Sequence, residues 1–224
     1  MSNFDPIELE ILWQSLISTV NEQARALQRS AFSPIVREAG DLANAVFDQR
    51  GRMVAQAVTG TPGHVNSMAE SVKHFLRHFA IEEMNEGDAF ITNDPWMGTG
   101  HLNDFVITTP CFRNGQVVAL FSCTSHLTDI GGMGSGVDAT DVHMEGIYIP
   151  MLKLADRGLM NETLMAMIRQ NTRQPVESEG DVYSLAACND IGCVRLVEMM
   201  DEFDLDSLDA LGDYICDTSE KAVR

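Results

Sequence analysis

The amino-acid sequence predicts an α+β fold, with a central, mostly antiparallel sheet, flanking helices, and helical segments at its amino- and carboxyl-terminal ends. Three observations lead to this expectation. Apolar residues recur at helical spacing near the amino terminus, apolar and β-branched runs separated by turn residues fill the middle, and the last third has helix-forming composition.

The first part of the chain is expected to form a long helix, two short strands and a second helix. Asp5 followed by Pro6 is typical of a helix start, and the apolar spacing that follows predicts an amphipathic helix over about residues 6–30. The segment "NAVFDQRGRMVAQ" predicts two strands joined by a turn at 49–51. The segment "GTPGHVNSM" then opens a helix that reaches about Ala80.

The middle of the chain is rich in predicted strands, and the end is helical. "DAFITND", "DFVITTPCF" and "QVVALFSCTSH" are apolar and β-branched, and "RNG" between the last two predicts a hairpin turn. Asn161 is expected to cap a helix over "NETLMAMIRQNTR", and "GDVYSLAACNDIGCVRLVEMMDEF" and "GDYICDTSEKAVR" also predict helix. The 45% content of hydrophobic residues is enough to fill a core.

Two copies of the pattern His-Leu-x-Asp frame the predicted hairpin. His101 and Asp104 lie at the start of its first strand, and His126 and Asp129 lie at the end of its second. Antiparallel pairing places His126 within reach of His101 and Asp104, with Asp104 opposite about position 124. Such mixed nitrogen and oxygen donors suit manganese, iron or zinc. Histidine and aspartate pairs are also typical of caps, turns and polar hydrogen bonds, so both interpretations stay open at this point.

Charge and cysteine content narrow the class of protein. The chain has 33 acidic and 15 basic residues, a formal net charge of −18, which disfavours nucleic acid and anionic membrane surfaces as partners. The sequence shows no signal peptide and no membrane-spanning stretch, and its five cysteines form no Cys-x-x-Cys pair. We therefore expect a cytoplasmic protein that acts on a small-molecule substrate.

Two further histidines are candidates for a general base. His64 lies at a predicted helix start, where the helix dipole disfavours the protonated ring, which suits a base and equally a cap. His143 lies in the glycine-rich segment that follows the second pair and is a candidate for substrate contact. That segment lacks the Lys-Ser or Lys-Thr ending of a phosphate loop, which excludes a nucleotide site of that kind.

Several motifs along the chain resemble, in the same order, those of the hydantoinase B/oxoprolinase family. They are "FSPIVREAGDLANAVFD", "GRMVAQAVTGTPGHVNSM", "GDAFITNDPWMGTGHLNDFVITTPCF", "HLTDIGG", "EGIYIPMLKL", "NETLMAMIRQNTR" and "EGDVYSLAACNDIGCVRL". The resemblance covers nearly the whole chain. Since members of that family are generally much longer, we expect residues 1–224 to be a single domain that forms the amino-terminal part of a longer architecture.

The resemblance implies a division of labour within a hetero-oligomer. A hydantoinase A-like partner uses ATP to phosphorylate a carbonyl or amide oxygen of the substrate, and the B-type subunit acts on the activated intermediate. In the carboxylase branch the B-type subunit resembles a metal protein, with manganese favoured over zinc or iron as the cofactor. The ligand positions fall here on His101, Asp104 and His126, with a further carboxylate from Glu38. Asp129 would be a proton acceptor or a hydrogen-bond partner of a ligand.

Three functions are open on the sequence alone. The favoured one is an ATP-dependent cyclic amide hydrolase subunit, for hydantoin- or oxoproline-type substrates, that is inactive without its partner. The alternatives are a subunit of an ATP-dependent acetone or acetophenone carboxylase and a non-catalytic assembly subunit. The second motif also departs from the family pattern, because it reads His-Leu-Thr-Asp where many relatives have two adjacent histidines. The sequence leaves open the substrate, the metal and the subunit stoichiometry.

Overall fold

A computed structural model describes residues 5–134 and 138–224. The helices are α1 (Pro6–Ser30), α2 (Pro34–Arg37), α3 (Pro62–His78), α4 (Glu162–Asn171), α5 (Pro175–Glu202) and α6 (Asp209–Val223). The strands are β1 (Leu42–Phe47), β2 (Met53–Gln56), β3 (Ala89–Thr92), β4 (Asp104–Arg113), β5 (Gln116–His126), β6 (Leu152–Asp156) and β7 (Leu159–Met160). Two short 3₁₀ turns complete the described secondary structure, at Ile81–Glu83 and Val142–Met144.

The strands form one sheet in the order β2-β1-β5-β4-β3-β6-β7, and every described pairing is antiparallel. The predicted α+β class is therefore confirmed. The long hairpin of β4 and β5 lies at the centre, with β1 beside β5 and β3 beside β4. The pair β6 and β7 extends the sheet on the β3 side, although their short segments carry too little apolar alternation to be predicted from sequence.

Helices cover both faces of the sheet. Strand β1 alternates in the way a doubly covered strand must, because Ala43, Ala45 and Phe47 pack in the cluster that includes α3, whereas Leu42 and Val46 pack in the clusters formed with α1 and α5. All six residues of β1 are buried. The core therefore consists of two layers, one on each face of the sheet, and α3 is the main helix on its own side.

Helix α1 begins and ends where the sequence predicts. The Asp5 carboxylate accepts hydrogen bonds from the N–H groups of Ile7 and Glu8, and the Glu8 side chain accepts from the N–H of Asp5, which completes a capping box. The buried face of α1 packs against α5 and the sheet.

Within the described residues, no helix is both long enough and apolar enough to cross a bilayer.

Helix α5 crosses the back of the central hairpin at close range. Gly192 makes this possible, since a Cβ at that position would lie 2.5 Å from the buried ring of Phe121. A buried polar side chain stabilises the same contact. The Asn189 amide donates to the Ile107 carbonyl at 3.0 Å and accepts from the Gln23 amide at 2.7 Å. Helices α1 and α5 and strand β4 are thereby tied together through one side chain.

A tight turn and one bulge set the register of the central hairpin. Asn114 and Gly115 both have positive φ, as a two-residue turn that matches the twist of the strands requires. Between Cys111 and Phe112 the register shifts by one residue, and Asp104 consequently pairs with His126. The predicted partner near position 124 is displaced by two residues, one because the turn is centred between Asn114 and Gly115 rather than on Asn114, and one because of the bulge.

Candidate metal centre

A row of polar residues crosses the end of the sheet on the face covered by α3. Asp104 of β4 pairs directly with His126 of β5, and the N–H of His126 donates to the carbonyl of Asp41, just before β1, at 3.3 Å. Cross-strand neighbours in such a row have Cβ atoms about 4.5–5.5 Å apart. Asp41, His126 and Asp104 thus lie side by side on three adjacent strands because of register alone.

His101, Asp104 and His126 converge at one end of this row. His101 Nε2 lies 3.1 Å from Asp104 Oδ1, and His126 Nδ1 lies 3.3 Å from the same oxygen. The two imidazole rings have centroids 5.0 Å apart. The three donor atoms lie within 4.8 Å of one another, which is close enough to share one cation. The convergence expected from the hairpin is therefore present.

Burial and charge differ across the three side chains. The side chain of Asp104 is 1% exposed, that of His126 is 14% exposed and that of His101 is 42% exposed, so the group opens to solvent on the His101 side. Burial alone would raise the pKa of Asp104, but its contacts with His101 and His126 outweigh burial and keep that pKa well below its usual range. The hydrogen bond to Asp104 raises the pKa of His101.

His64 and Asp41 complete the site from α3 and from the start of β1. His64 Nε2 lies 2.9 Å from Asp41 Oδ1, and its Nδ1 lies 3.4 Å from Asp104 Oδ2. Two hydroxyl groups donate to the same carboxylates, Thr61 to Asp41 at 2.6 Å and Thr99 to Asp104 at 2.9 Å. Both carboxylates are therefore oriented by hydrogen bonds.

Hydrogen bonds from neighbouring residues hold the backbone of the first His-Leu-x-Asp segment in place. The amide of Asn93 donates to the carbonyl of Leu102 at 2.7 Å, and Glu145 accepts from the N–H of Leu102 at 3.0 Å. The Asn103 amide donates to the carbonyl of Leu127 at 2.9 Å, which connects the first His-Leu-x-Asp segment to the second. In both segments the leucine is fully buried, so the residues on either side of it are fixed by packing as well as by hydrogen bonds.

Glu38, the carboxylate implied by the resemblance, does not join this group. It ends α2 as its C-cap, and its side chain is exposed. Asp41, three residues later, is the carboxylate from this segment that reaches the site. The sequence signal for Asp41 is its position shortly before the predicted strand that begins at Asn44. This position places it at the same end of the sheet as the start of β4 and the end of β5.

Asp129 makes a different set of contacts from the one predicted. Its carboxylate is 8% exposed and accepts hydrogen bonds from the N–H groups of Gly131, Arg173 and Gln174. It also forms an ion pair with the Arg173 guanidinium at 2.9 Å. Burial would raise the pKa of Asp129, yet these hydrogen bonds together lower it. Asp129 thus joins the loop after β5 to the start of α5 and turns away from the imidazoles.

His143 lies on the 3₁₀ turn Val142–Met144, and its side chain is exposed. Its N–H donates to the Asp141 carboxylate at 2.7 Å, and its ring centroid lies 6.0 Å from that of Tyr148. It is not part of the group formed by His101, Asp104 and His126. The structure therefore brings His64 to the predicted site and places His143 on a neighbouring loop.

The donor set fits the divalent cation that the resemblance implies. Two imidazole nitrogens and one ionised carboxylate are ligands that manganese, iron and zinc accept, and the carboxylate here keeps a depressed pKa. Two ring nitrogens approach one carboxylate oxygen, so the three donors already face a common point. His101 is the donor of the three that is most exposed to solvent.

Comparison with known proteins shows the family of this chain. The family model described as hydantoinase B/oxoprolinase matches residues 5–224. The beta subunit of caprolactamase from Pseudomonas jessenii is 30% identical over 227 residues, covering 100% of this chain and 39% of that protein. The chain thus spans about two fifths of that relative.

Two solved structures share the fold. The crystal structure of the ATP-dependent caprolactamase from Pseudomonas jessenii superposes with a TM-score of 0.86 at 27% identity, over 99% of this chain and 38% of that chain. A nucleotide-free acetone carboxylase superposes with a TM-score of 0.82 at 21% identity, over 94% of this chain and 28% of that chain. From its fold and from the match over residues 5–224, the chain belongs to the hydantoinase B/oxoprolinase family.

Proposed function

We propose that this chain is the B-type component of an ATP-dependent cyclic amide hydrolase. Its substrate would be a hydantoin-, oxoproline- or lactam-type ring that a hydantoinase A-like partner activates by phosphorylation. The observation that carries the proposal is the convergence of His101, Asp104 and His126 within a chain of this family. The similarity to a caprolactamase beta subunit and to a crystal structure of an ATP-dependent caprolactamase supports a hetero-oligomer of this kind.

In this proposal His101, Asp104 and His126 hold a divalent cation, with manganese favoured, and Asp41 rather than Glu38 adds the second carboxylate. Such an ion, when bound, supplies a Lewis acid that polarises a carbonyl or phosphoryl oxygen and lowers the pKa of water. Asp104 contributes a permanently ionised oxygen, because the contacts that depress its pKa keep it charged across the physiological range.

The substrate would approach from the side of His101. Its side chain is 42% exposed whereas Asp104 and His126 are 1% and 14% exposed, so the other approaches are closed by protein. The hydrogen bonds that Asn93 and Glu145 make with the Leu102 backbone hold the neighbouring His101 on this side. These contacts orient the substrate-facing imidazole and reduce the reorganisation that binding would require.

The test is an activity assay of the purified protein together with its copurifying subunits. A panel of a hydantoin, 5-oxoproline and caprolactam is incubated with ATP, with and without a chelator, and with ¹⁴C-bicarbonate in parallel with acetone. We expect ring opening that requires ATP, stops on chelation, and is lost in His101→Ala.

The other functions predict different results in the same assay. A ketone carboxylase would incorporate label from bicarbonate into product and leave the rings closed. An assembly subunit would give a complex whose turnover is unchanged in His101→Ala. Either result would overturn the hydrolase proposal, since it requires a reaction that depends on this imidazole.

A further inference from the structure

We infer that His64 is a positioning residue, which sets the orientation of Asp41 and Asp104 and thereby the affinity of the site for its cation. This inference rests on the proposed function, because it concerns the same cation. It differs from the general-base role that the sequence suggested for His64. The geometry points to it through three features: the contacts of the ring with two carboxylates, its burial, and the separate partners of the two Asp104 oxygens.

The imidazole of His64 bridges two carboxylates that come from different strands. Its Nε2 lies 2.9 Å from Asp41 Oδ1 and its Nδ1 lies 3.4 Å from Asp104 Oδ2. Each ring nitrogen is therefore committed to one carboxylate. Asp41 lies just before β1 and Asp104 begins β4, and these two strands are separated by β5 in the sheet, so no direct strand pairing links them. The ring of His64 connects their side chains.

The two oxygens of Asp104 have separate partners. Oδ1 lies beside the nitrogens of His101 and His126, where the cation would bind. Oδ2 faces away from that point and lies near His64 Nδ1 and the Thr99 hydroxyl. His64 thus holds Oδ2, the oxygen that does not face the cation. This contact fixes the rotation of the Asp104 carboxylate and therefore the direction in which Oδ1 points.

His64 is more deeply buried than the imidazole at the open side of the site. The residue is 7% exposed, compared with the 42% exposed side chain of His101. It lies in the first turn of α3, where its N–H donates to the carbonyl of Thr61 at 3.0 Å. The position is rigid, since α3 packs on the sheet through Met68, Val72 and Phe75. A ring enclosed in this way is well placed to orient its neighbours.

The first turn of α3 also suits the charges it faces. The amino-terminal end of a helix carries partial positive charge, which favours nearby carboxylates. The side chain of Asp41 accepts from both His64 and Thr61, two residues of this helix start. The helix therefore presents a ring, a hydroxyl and its dipole to the same carboxylate.

The test is the dissociation constant of Mn²⁺ in the full protein with its copurifying subunits, measured by titration after the metal has been removed. Hydrogen-bond partners of metal ligands typically change metal affinity by about 10–100-fold. We expect a loss of that size in His64→Ala. His64→Asn places an amide near the Nδ1 position and His64→Gln places one near the Nε2 position, so each keeps one of the two contacts and should lose less.

His78→Ala is the matched control, because His78 is an exposed histidine on the same helix. It should bind Mn²⁺ with wild-type affinity. Thermal unfolding of every apo variant separates loss of affinity from loss of fold, and the Asn and Gln variants decide the matter if the Ala variant does not fold. Wild-type affinity in a folded Ala variant would overturn the positioning role alone, as would wild-type affinity in both the Asn and Gln variants if the Ala variant does not fold. A wild-type protein that binds no Mn²⁺ would overturn both this role and the proposed cation site.

Discussion

The replacement Asp129→Asn tests the structural role that the contacts of Asp129 indicate. The carboxylate accepts from Gly131 and from the Arg173 guanidinium through Oδ1, and from the N–H groups of Arg173 and Gln174 through Oδ2. Asparagine keeps one side-chain oxygen and replaces the other with an NH₂ group, which cannot accept a hydrogen bond. The two partly buried N–H groups of Arg173 and Gln174 then lose their acceptor, and the negative charge is lost as well.

The magnitude follows from the number and type of the lost bonds. A hydrogen bond to a charged group contributes about 1.5–3 kcal/mol, and the bond to the Arg173 side chain is discounted because that side chain is 61% exposed. Two backbone bonds give a loss of about 3 kcal/mol in the free energy of unfolding. At about 2–4 °C per kcal/mol for a chain of this size, Tm should fall by about 6–12 °C.

The pH dependence has a defined sign. The folded pKa of Asp129 is lowered, so its contribution to stability is complete above the unfolded pKa and is lost as the pH falls through the folded value. The difference in Tm between wild type and Asp129→Asn should therefore be largest near neutrality and shrink below about pH 4. Differential scanning calorimetry at neutral and acid pH measures both quantities.

A catalytic Asp129 would behave differently. If the Asn variant unfolds within about 2 °C of wild type while its turnover falls by orders of magnitude, the reasoning from its contacts is refuted and the role suggested by sequence is restored. Metal content provides a further check. It should be unchanged in the folded variant, since Asp129 makes its contacts with the start of α5 and not with the imidazoles.

Four other replacements test the contacts around the sheet, and the stability of each variant is measured by urea denaturation. Gly192→Ala forces a methyl group to 2.5 Å from a fully buried ring and should cost about 1–3 kcal/mol, whereas Gly180→Ala meets a half-exposed ring that can move and should cost less; the reverse order would contradict the packing argument. Asn189→Ala removes the hydrogen-bond partner of buried polar groups on α1 and β4 and should cost about 2–4 kcal/mol, so a loss below about 0.5 kcal/mol would refute its linking role. Asp88→Asn removes the charge that faces Lys153 at 2.8 Å and should cost about 3 kcal/mol near pH 7. Despite burial, hydrogen bonds lower the pKa of Asp88, so this cost should fall in acid, and an effect that grows in acid would contradict the sign.

The central hairpin shows how far the sequence determines the site. Apolar runs on either side of "RNG" specify two paired strands, and pairing alone brings His126 to Asp104. The partner was still misplaced by two positions, one because the turn is centred between Asn114 and Gly115 and one because the bulge at Cys111 and Phe112 leaves no local signal in the sequence. The convergence was predictable from the sequence, but its register depended on packing across the whole sheet.

Three carboxylates show which features of the site the sequence does not determine. Glu38 and Asp41 belong to the same short segment, and only the fold shows that α2 directs Glu38 to solvent whereas β1 brings Asp41 beside His126. Asp129 belongs to a repeat of the His-Leu-x-Asp pattern, yet its partners come from Arg173 and Gln174, which are far away in sequence. Local pattern identifies candidate ligands, while contacts distant in sequence decide which of them face the site.

The most direct measurement is the metal content of the purified protein by inductively coupled plasma mass spectrometry, for wild type and for His101→Ala, His126→Ala and the surface control His78→Ala. Near-stoichiometric manganese, iron or zinc is expected in wild type and control, with most of it gone from both site variants. Equal metal in all four proteins, or none in any, would contradict the idea that these side chains gather around a cation.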